Sequence, residues 1–142
     1  MSHELSISKW GPAAWRFLHS VSFTYSLDPT LEDKRNMYMF LNSFSKVLPC
    51  KKCRIDFTNY VGKTLSEESI HLKSRDDLIN YINDAHNHVN RKLGKREFTY
   101  KEVRDKYLSD SIFYNNFTNF IIIILLIILL LMVLKRNKKN NM

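Results

Sequence analysis

Three residue types are scarce in this chain of 142: glycine and proline occur three times each, and cysteine twice. With so few residues to break a helix or turn a hairpin, and many Leu, Ile, Lys and Asn, the sequence predicts long helices and an all-α fold. Residues 1–110 contain no internal repeat and no low-complexity segment. A hydrophobic content of 44% over this length fills one core and leaves no room for a second domain. The amino end, "MSHELSISKW", is polar and lacks the apolar stretch of a signal peptide. No G-x-G-x-x-G follows a strand-like segment, so a Rossmann-type nucleotide site is not supported. The net charge is +8, but Lys135, Arg136, Lys138 and Lys139 supply half of it and leave +4 for the rest. That remainder is ordinary for a soluble domain, and no nucleic-acid partner is expected.

One feature is abundant. "FIIIILLIILLLMVL", residues 120–134, is an uninterrupted run of fifteen apolar residues. Counted from Phe117 it reaches eighteen residues, about 27 Å of helix, enough for a thin bilayer. The run is apolar on every face, unlike a helix that shows one side to water. The expected layout is a domain over 1–110, a linker over 111–116, a transmembrane helix over 117–134 and a basic tail over 135–142. Such a single-pass tail anchor is inserted after release from the ribosome, which leaves the domain on the cytosolic side. The basic tail pulls the other way under the positive-inside rule.

Within residues 1–110 the apolar spacing marks four helices and a short fifth. Ser8 is the expected cap of the first, with Pro12 in its opening turn and Trp15, Leu18, Ser22 and Tyr25 at helical spacing. Thr30 and Asp33 have capping-box spacing ahead of Met37, Phe40, Leu41, Phe44 and Leu48, a second helix that ends near Pro49. A third is expected from about Cys50 to Tyr60, with Gly62 as its stop signal. Ser74 and Asp77 open a fourth, lined by Leu78, Ile82, Ala85, Val89 and Leu93 and ended by Gly94. Thr99 and Glu102 open the short fifth, through Tyr107. The expected fold is a four-helix bundle with that short fifth helix, followed by the transmembrane helix.

Cys50 and Cys53, in "PCKKC", are a C-x-x-C pair with three chemical readings. Zinc needs two further ligands, and His86 and His88 diverge by about 200° on a helix. A structural disulfide across so short a loop removes little chain entropy. A redox pair suits the position better. It follows Pro49 at a helix start, where backbone N–H groups and the helix dipole favour a thiolate, and Lys51 and Lys52 add positive charge. The preceding segment is helical, whereas a thioredoxin-like pair would follow a strand. A dithiol needs an electron acceptor, and any cofactor must sit inside the bundle. A flavin-free thiol–disulfide exchange protein and a membrane-tethered adaptor with an incidental C-x-x-C remain the alternatives.

"WGPAAWRFLH", "FSKVLPCKKC" and "HNHVNRKLGKREF", in that order over residues 8–108, resemble the flavin-linked sulfhydryl oxidases of the Erv/ALR family. The resemblance implies a helical bundle holding FAD, with the C-x-x-C disulfide beside the flavin ring. It also implies electron transfer from protein thiols to oxygen with hydrogen peroxide as product. Cys50 is then the sulfur attacked by substrate, and Cys53 the flavin-proximal sulfur. Gly11, Trp15 and His19 match the first flavin motif, with Tyr25 a further contact on the same face. His86, Asn87, Val89 and Asn90 match the second, with His88 in a variable, solvated slot. Lys92 and Lys95 match basic positions near the FAD phosphates, and Tyr107 stands where the family often has tryptophan. Many members carry a structural disulfide at the positions of Asn83 and Tyr100 and a distal shuttle pair; this chain has neither. Its cofactor loop is therefore expected to be held by packing alone. Substrates are expected to exchange directly with Cys50, a small thioredoxin- or glutaredoxin-like carrier among them. The family also implies a homodimer through the first two helices, and the anchor and composition are similar to those of viral members, in a virion or host endomembrane.

Overall fold

The computed structural model describes the backbone of residues 5–140 and the side chains of residues 5–108, 119–129 and 132. The chain divides into two compact units, Met1–Val103 and Arg104–Met142. The first holds α1 (Ile7–Thr24), α2 (Leu31–Lys46), α3 (Lys51–Thr64), a 3₁₀ turn (Ile70–Leu72), α4 (Arg75–Lys92) and the opening turn of α5 (Tyr100–Asn140). All of it is helical, as expected. α1 packs against α4, and α2 pairs with α3.

Burial follows the apolar stripes. Leu18, Leu41, Val61, Leu72, Leu78 and Ile82 are all 2% exposed or less, and join Phe57, Tyr81 and Ala85 in one core. Each such side chain stabilises the fold by roughly 1.5–3 kcal/mol relative to exposure. The capping boxes form where the spacing places them. Thr30 Oγ1 accepts from Asp33 N–H while Thr30 N–H donates to Asp33 Oδ2. Ser74 Oγ accepts from Asp77 N–H, and Thr99 Oγ1 from Glu102 N–H.

Three boundaries differ from expectation. α1 starts at Ile7 with Ser6 as its cap, so Pro12 lies in the second turn rather than the first. The start is drawn back by Lys9 N–H donating to the Ser6 carbonyl and by Trp10 Nε1–H donating to the Leu5 carbonyl. α3 passes through Gly62 and ends only at Thr64, because Val61 and the C-cap Leu65 are buried on either side and their packing outweighs the cost of one glycine. The fifth helix does not stop at Tyr107, nor is there a break at the expected linker 111–116; α5 runs to Asn140. After Gly94 the sequence has neither glycine nor proline, so nothing terminates helix propagation.

In the second unit the described side chains from Phe120 to Leu129, and Met132, are exposed. Among the described residues no helix is long and apolar enough to cross a membrane. The expected anchor over 117–134 falls partly on residues whose side chains lie outside those described.

A Cβ added to exposed Gly62 meets nothing within 4 Å, whereas Gly94 has φ +63°, a conformation that penalises any side chain. Gly62→Ala should stabilise the first unit by about 0.5–1 kcal/mol, and Gly94→Ala should destabilise it by about 1 kcal/mol, both read from urea denaturation. The Glu102 carboxyl is pulled down from 4.5 to about 2 by the Arg96 guanidinium and by the Thr99 N–H and hydroxyl. Because the folded value is the lower one, this support for the start of α5 is complete above about pH 4.5 and is lost as pH falls towards 2. A carboxyl-carbon NMR titration should place the Glu102 midpoint near 2.

Candidate active site

The turn between α2 and α3 ends on Cys50, which is the N-cap of α3. Its Sγ accepts the Cys53 N–H at 3.2 Å, so the first turn of the helix is closed onto sulfur. The two cysteines are joined as a disulfide with Cα atoms 5.2 Å apart. Arg54 Nη1 donates to the Leu48 carbonyl at 2.6 Å and braces the turn from inside. An N-capping sulfur at the positive end of a helix carries negative charge favourably when the disulfide opens.

The two sulfurs have different surroundings. Cys50 is 8% exposed, whereas Cys53 is half-buried and forms part of the wall of a cavity of about 920 Å³. The apolar wall comes from Gly11, Trp15 and Leu18 of α1, Phe57 of α3 and Val89 of α4. Its polar part comes from Lys51, Lys52, Asp56 and Asn59 on α3 and Lys92 on α4. Lys92 donates to Asp56 Oδ1, and His88 Nε2 lies 3.5 Å from Asp56 Oδ2, so the Asp56 carboxylate ties α3 to α4.

Behind the cavity wall is an aromatic stack. Trp15 lies flat on His86, with ring centroids 4.1 Å apart and planes 8° apart, and stands edge-on to Phe57 at 5.8 Å. His19 is 1% exposed, and its Nε2 is 3.1 Å from His86 Nδ1. α1 and α4 thus meet through Trp15, His19 and His86, and the indole is set at the cavity surface by rings that do not themselves line it.

The structure sorts the expected site residues into groups. Gly11, Trp15, Cys53, Val89 and Lys92 line the cavity. His19 and His86 back it. Asn90 is 5% exposed, and its Nδ2 is buried with no hydrogen-bond partner among the described residues. Asn87 serves the loop after α4: its Nδ2 donates to the Phe98 carbonyl at 2.8 Å and its Oδ1 accepts the Phe98 N–H at 2.9 Å. Lys95 is exposed, and its backbone N–H donates to the Asn90 carbonyl. Tyr25 lies away from this cavity; its hydroxyl donates to the Leu72 carbonyl at 3.2 Å, and burial raises its pKa. Tyr107 belongs to the second unit, with Lys106 Nζ 5.8 Å from its ring centroid.

Two expectations are corrected. His88 is not a solvated side chain: its ring lies 4.6 Å from that of Tyr60, besides facing Asp56. The loop after α4 is not held by packing alone. Asn83 Nδ2 donates to the Phe98 carbonyl at 3.0 Å and the Tyr100 hydroxyl donates to Asp76 Oδ1 at 2.9 Å, so both positions aligned with a missing disulfide carry hydrogen bonds. Trp10, Asp56 and Phe57 also belong to the cavity, and so does Phe44, which the apolar spacing marks only as a core position of α2. Asp56 and Phe57 follow Cys53 by three and four residues, the spacing that places side chains on one helix face, and this would have found them.

A helical bundle with a disulfide at a helix start, one sulfur of it on the wall of an aromatic cavity, defines a thiol–disulfide oxidoreductase with an internal binding site. Residues 12–108 match the Erv1/Alr family. The chain is 40% identical over 99 residues to a probable FAD-linked sulfhydryl oxidase of Acanthamoeba polyphaga mimivirus, covering 70% of this chain and 68% of that protein. It is 38% identical over 92 residues to the mitochondrial FAD-linked sulfhydryl oxidase of Saccharomyces cerevisiae, covering 65% of this chain and 47% of the relative. Among solved structures, the yeast Erv1 core superposes with a TM-score of 0.65 at 33% identity, over 72% of this chain and 83% of that one. The chain belongs to the Erv1/Alr family.

Removing the Asn87 amide strips Phe98 of its N–H acceptor and one of its two carbonyl donors. Asn87→Ala should destabilise the first unit by about 1–3 kcal/mol and speed hydrogen exchange at the Phe98 amide, measured by NMR.

Proposed function

We propose that this chain is an FAD-linked sulfhydryl oxidase that makes disulfides in protein thiols by turning over Cys50–Cys53. The observation that carries the reading is the place of Cys53, on the wall of a ligand-sized cavity, with Cys50 on the turn that leads to it. A volume of about 920 Å³ lies at the upper end of the roughly 300–1,000 Å³ usual for small-molecule sites.

The residues present fit a flavin dinucleotide. Trp15 and Phe57 offer aromatic surface to a ring system. Gly11 is buried, and a Cβ there meets only Ile7 Cγ2, at 3.3 Å, so the missing side chain leaves room in the cavity. Lys92 brings positive charge for a diphosphate. His19 and His86 hold the Trp15 ring in place. Bound there, FAD supplies a two-electron acceptor for the dithiol, with oxygen as terminal acceptor and hydrogen peroxide as product.

The chain's own chemistry is two thiol–disulfide exchanges. A substrate thiolate attacks Cys50 Sγ; the Cys50–Cys53 bond breaks, and Cys53 leaves as a thiolate beside the cavity. A second substrate thiolate attacks the substrate sulfur of the mixed disulfide, and Cys50 leaves as a thiolate, met by the Cys53 N–H. The substrate departs as a disulfide, and the pair holds the two electrons. Cys50 and Cys53 are the two cysteines of these 142 residues, and substrates, a small thioredoxin- or glutaredoxin-like carrier among them, meet Cys50 directly. Exposed Phe17 and Met39, on α1 and α2, support a homodimer through those helices. The exposed apolar side chains of Phe120–Leu129 support contact of this helix with a membrane; a virion or host endomembrane, with the oxidase domain on the cytosolic side, is the form we infer.

Purified full-length protein should be yellow and should consume oxygen when given dithiothreitol. Cys50→Ser and Cys53→Ser should each lower that uptake by at least 100-fold, on the order expected for loss of a covalent nucleophile. Only Cys50→Ser, which leaves the cavity-side thiol free, should change the visible spectrum. Gly11→Leu should fold with an unchanged far-ultraviolet circular dichroism spectrum and bind little flavin. A colourless protein whose properties ignore Cys50→Ser would sink the reading.

A further inference from the structure

We propose that the corner between α2 and α3 is a docking surface for protein thiols flanked by acidic residues. This deepens the oxidase reading and rests on it. Lys46 ends α2, Lys51 and Lys52 open α3, and all three are exposed. Arg54 reaches back across the same turn to the Leu48 carbonyl. No carboxylate occurs from Lys46 to Ile55, and the first one beyond, Asp56, is engaged by Lys92. The positive end of the α3 dipole points to the same corner.

The acidic residues of this helical hairpin stand elsewhere. Glu32 and Asp33 occupy the first turn of α2. They lie about 20 Å along the helix from Lys46, more than twice the screening length of about 8 Å at physiological salt. Lys34 and Arg35 follow those two carboxylates and balance that end, whereas α2 and the turn bring no carboxylate to the end that holds the disulfide, which is cationic.

Two further features shape the partner. Val47 is 73% exposed beside buried Leu48, an apolar contact set among the four cations. Cys50 is only 8% exposed, so a partner reaches it with a projecting segment rather than a flat face. The attacking thiolate is itself an anion, and carboxylates beside it add to the attraction that guides encounter. The partner that fits is a protein with a dithiol on a protruding turn, flanked by Asp or Glu, with a small apolar side chain to cover Val47.

The test uses the full-length holoenzyme and three synthetic peptides that share one Cys-x-x-Cys loop and differ only in acidic, neutral or basic flanks. Oxygen uptake should give a kcat/KM about tenfold higher for the acidic than for the basic peptide at 20 mM NaCl, and the gap should close by 500 mM. Lys46→Glu should shrink the gap at least threefold while dithiothreitol oxidation stays unchanged. A second readout needs no oxidase turnover. In Cys53→Ser, the Cys50 thiolate attacks a peptide in which one loop cysteine is serine and the other is a 5-thio-2-nitrobenzoate mixed disulfide; the Cys50–peptide disulfide forms, and the coloured thiolate that leaves reports the rate of docking. The same order of peptides is expected there. Equal rates for the three peptides, a preference for basic flanks, or a preference that survives 500 mM salt would overturn the proposal. Loss of dithiothreitol-dependent oxygen uptake with peptide discrimination intact in the trapping assay would overturn the oxidase reading and leave the docking surface standing.

Discussion

The flat contact of Trp15 on His86 is the constraint on which the site depends. It joins the middle of α1 to the far half of α4, and it is anchored from within by the His19–His86 hydrogen bond. Once these helices are pinned, the indole packs on the core with one part and lines the cavity with another, and α3 brings Cys53 and Phe57 to the same wall. The cavity is thus a consequence of a polar and aromatic joint in a place where two aliphatic side chains would have allowed the helices to close. Buried imidazoles are costly unless hydrogen-bonded, and their mutual contact offsets much of that cost.

The two sulfurs divide the work because of where a helix begins. A cysteine at the N-cap lies outside the helical spiral, on the turn, while one three residues later lies on the inward face with Asp56 and Phe57. The N3 position supplies the N–H that caps the first sulfur and carries the second cysteine on the cavity-lining face. The C-x-x-C spacing therefore yields one sulfur for the partner and one for the cavity, with a single covalent bond as the link. The Asp56 carboxylate, one helical turn past Cys53, then fixes the lysine of α4 against the same wall.

Much of this could be read from the chain before any coordinates. The capping pairs Thr30/Asp33, Ser74/Asp77 and Thr99/Glu102 are local signals, and the helices begin where they stand. Gly94 is likewise local, because its positive φ is imposed by the helix end itself. Gly62 misled because the signal for a stop was weaker than the packing of Val61 and Leu65, which only the tertiary fold supplies. Among site residues, those in ordered motifs came through as a set, whereas their division into wall, backing and brace did not. Asn87 and Asn90 sit three apart in one motif, yet one bonds a loop and the other keeps a donor unmatched among the described residues. That distinction depends on where Phe98 returns in space, eleven residues beyond Asn87, and no periodicity carries it.

The fastening of the Phe98 loop by Asn83 and Asn87, and of the start of α5 by Tyr100 and Asp76, has a bearing on how such a catalyst comes into being. Amides and hydroxyls hold with the same strength whether surrounding thiols are reduced or oxidised. The architecture is therefore indifferent to reductant, and the one disulfide in the chain is the one it uses. Over residues 5–108, a maker of disulfides built in this way takes its shape without an earlier maker of disulfides.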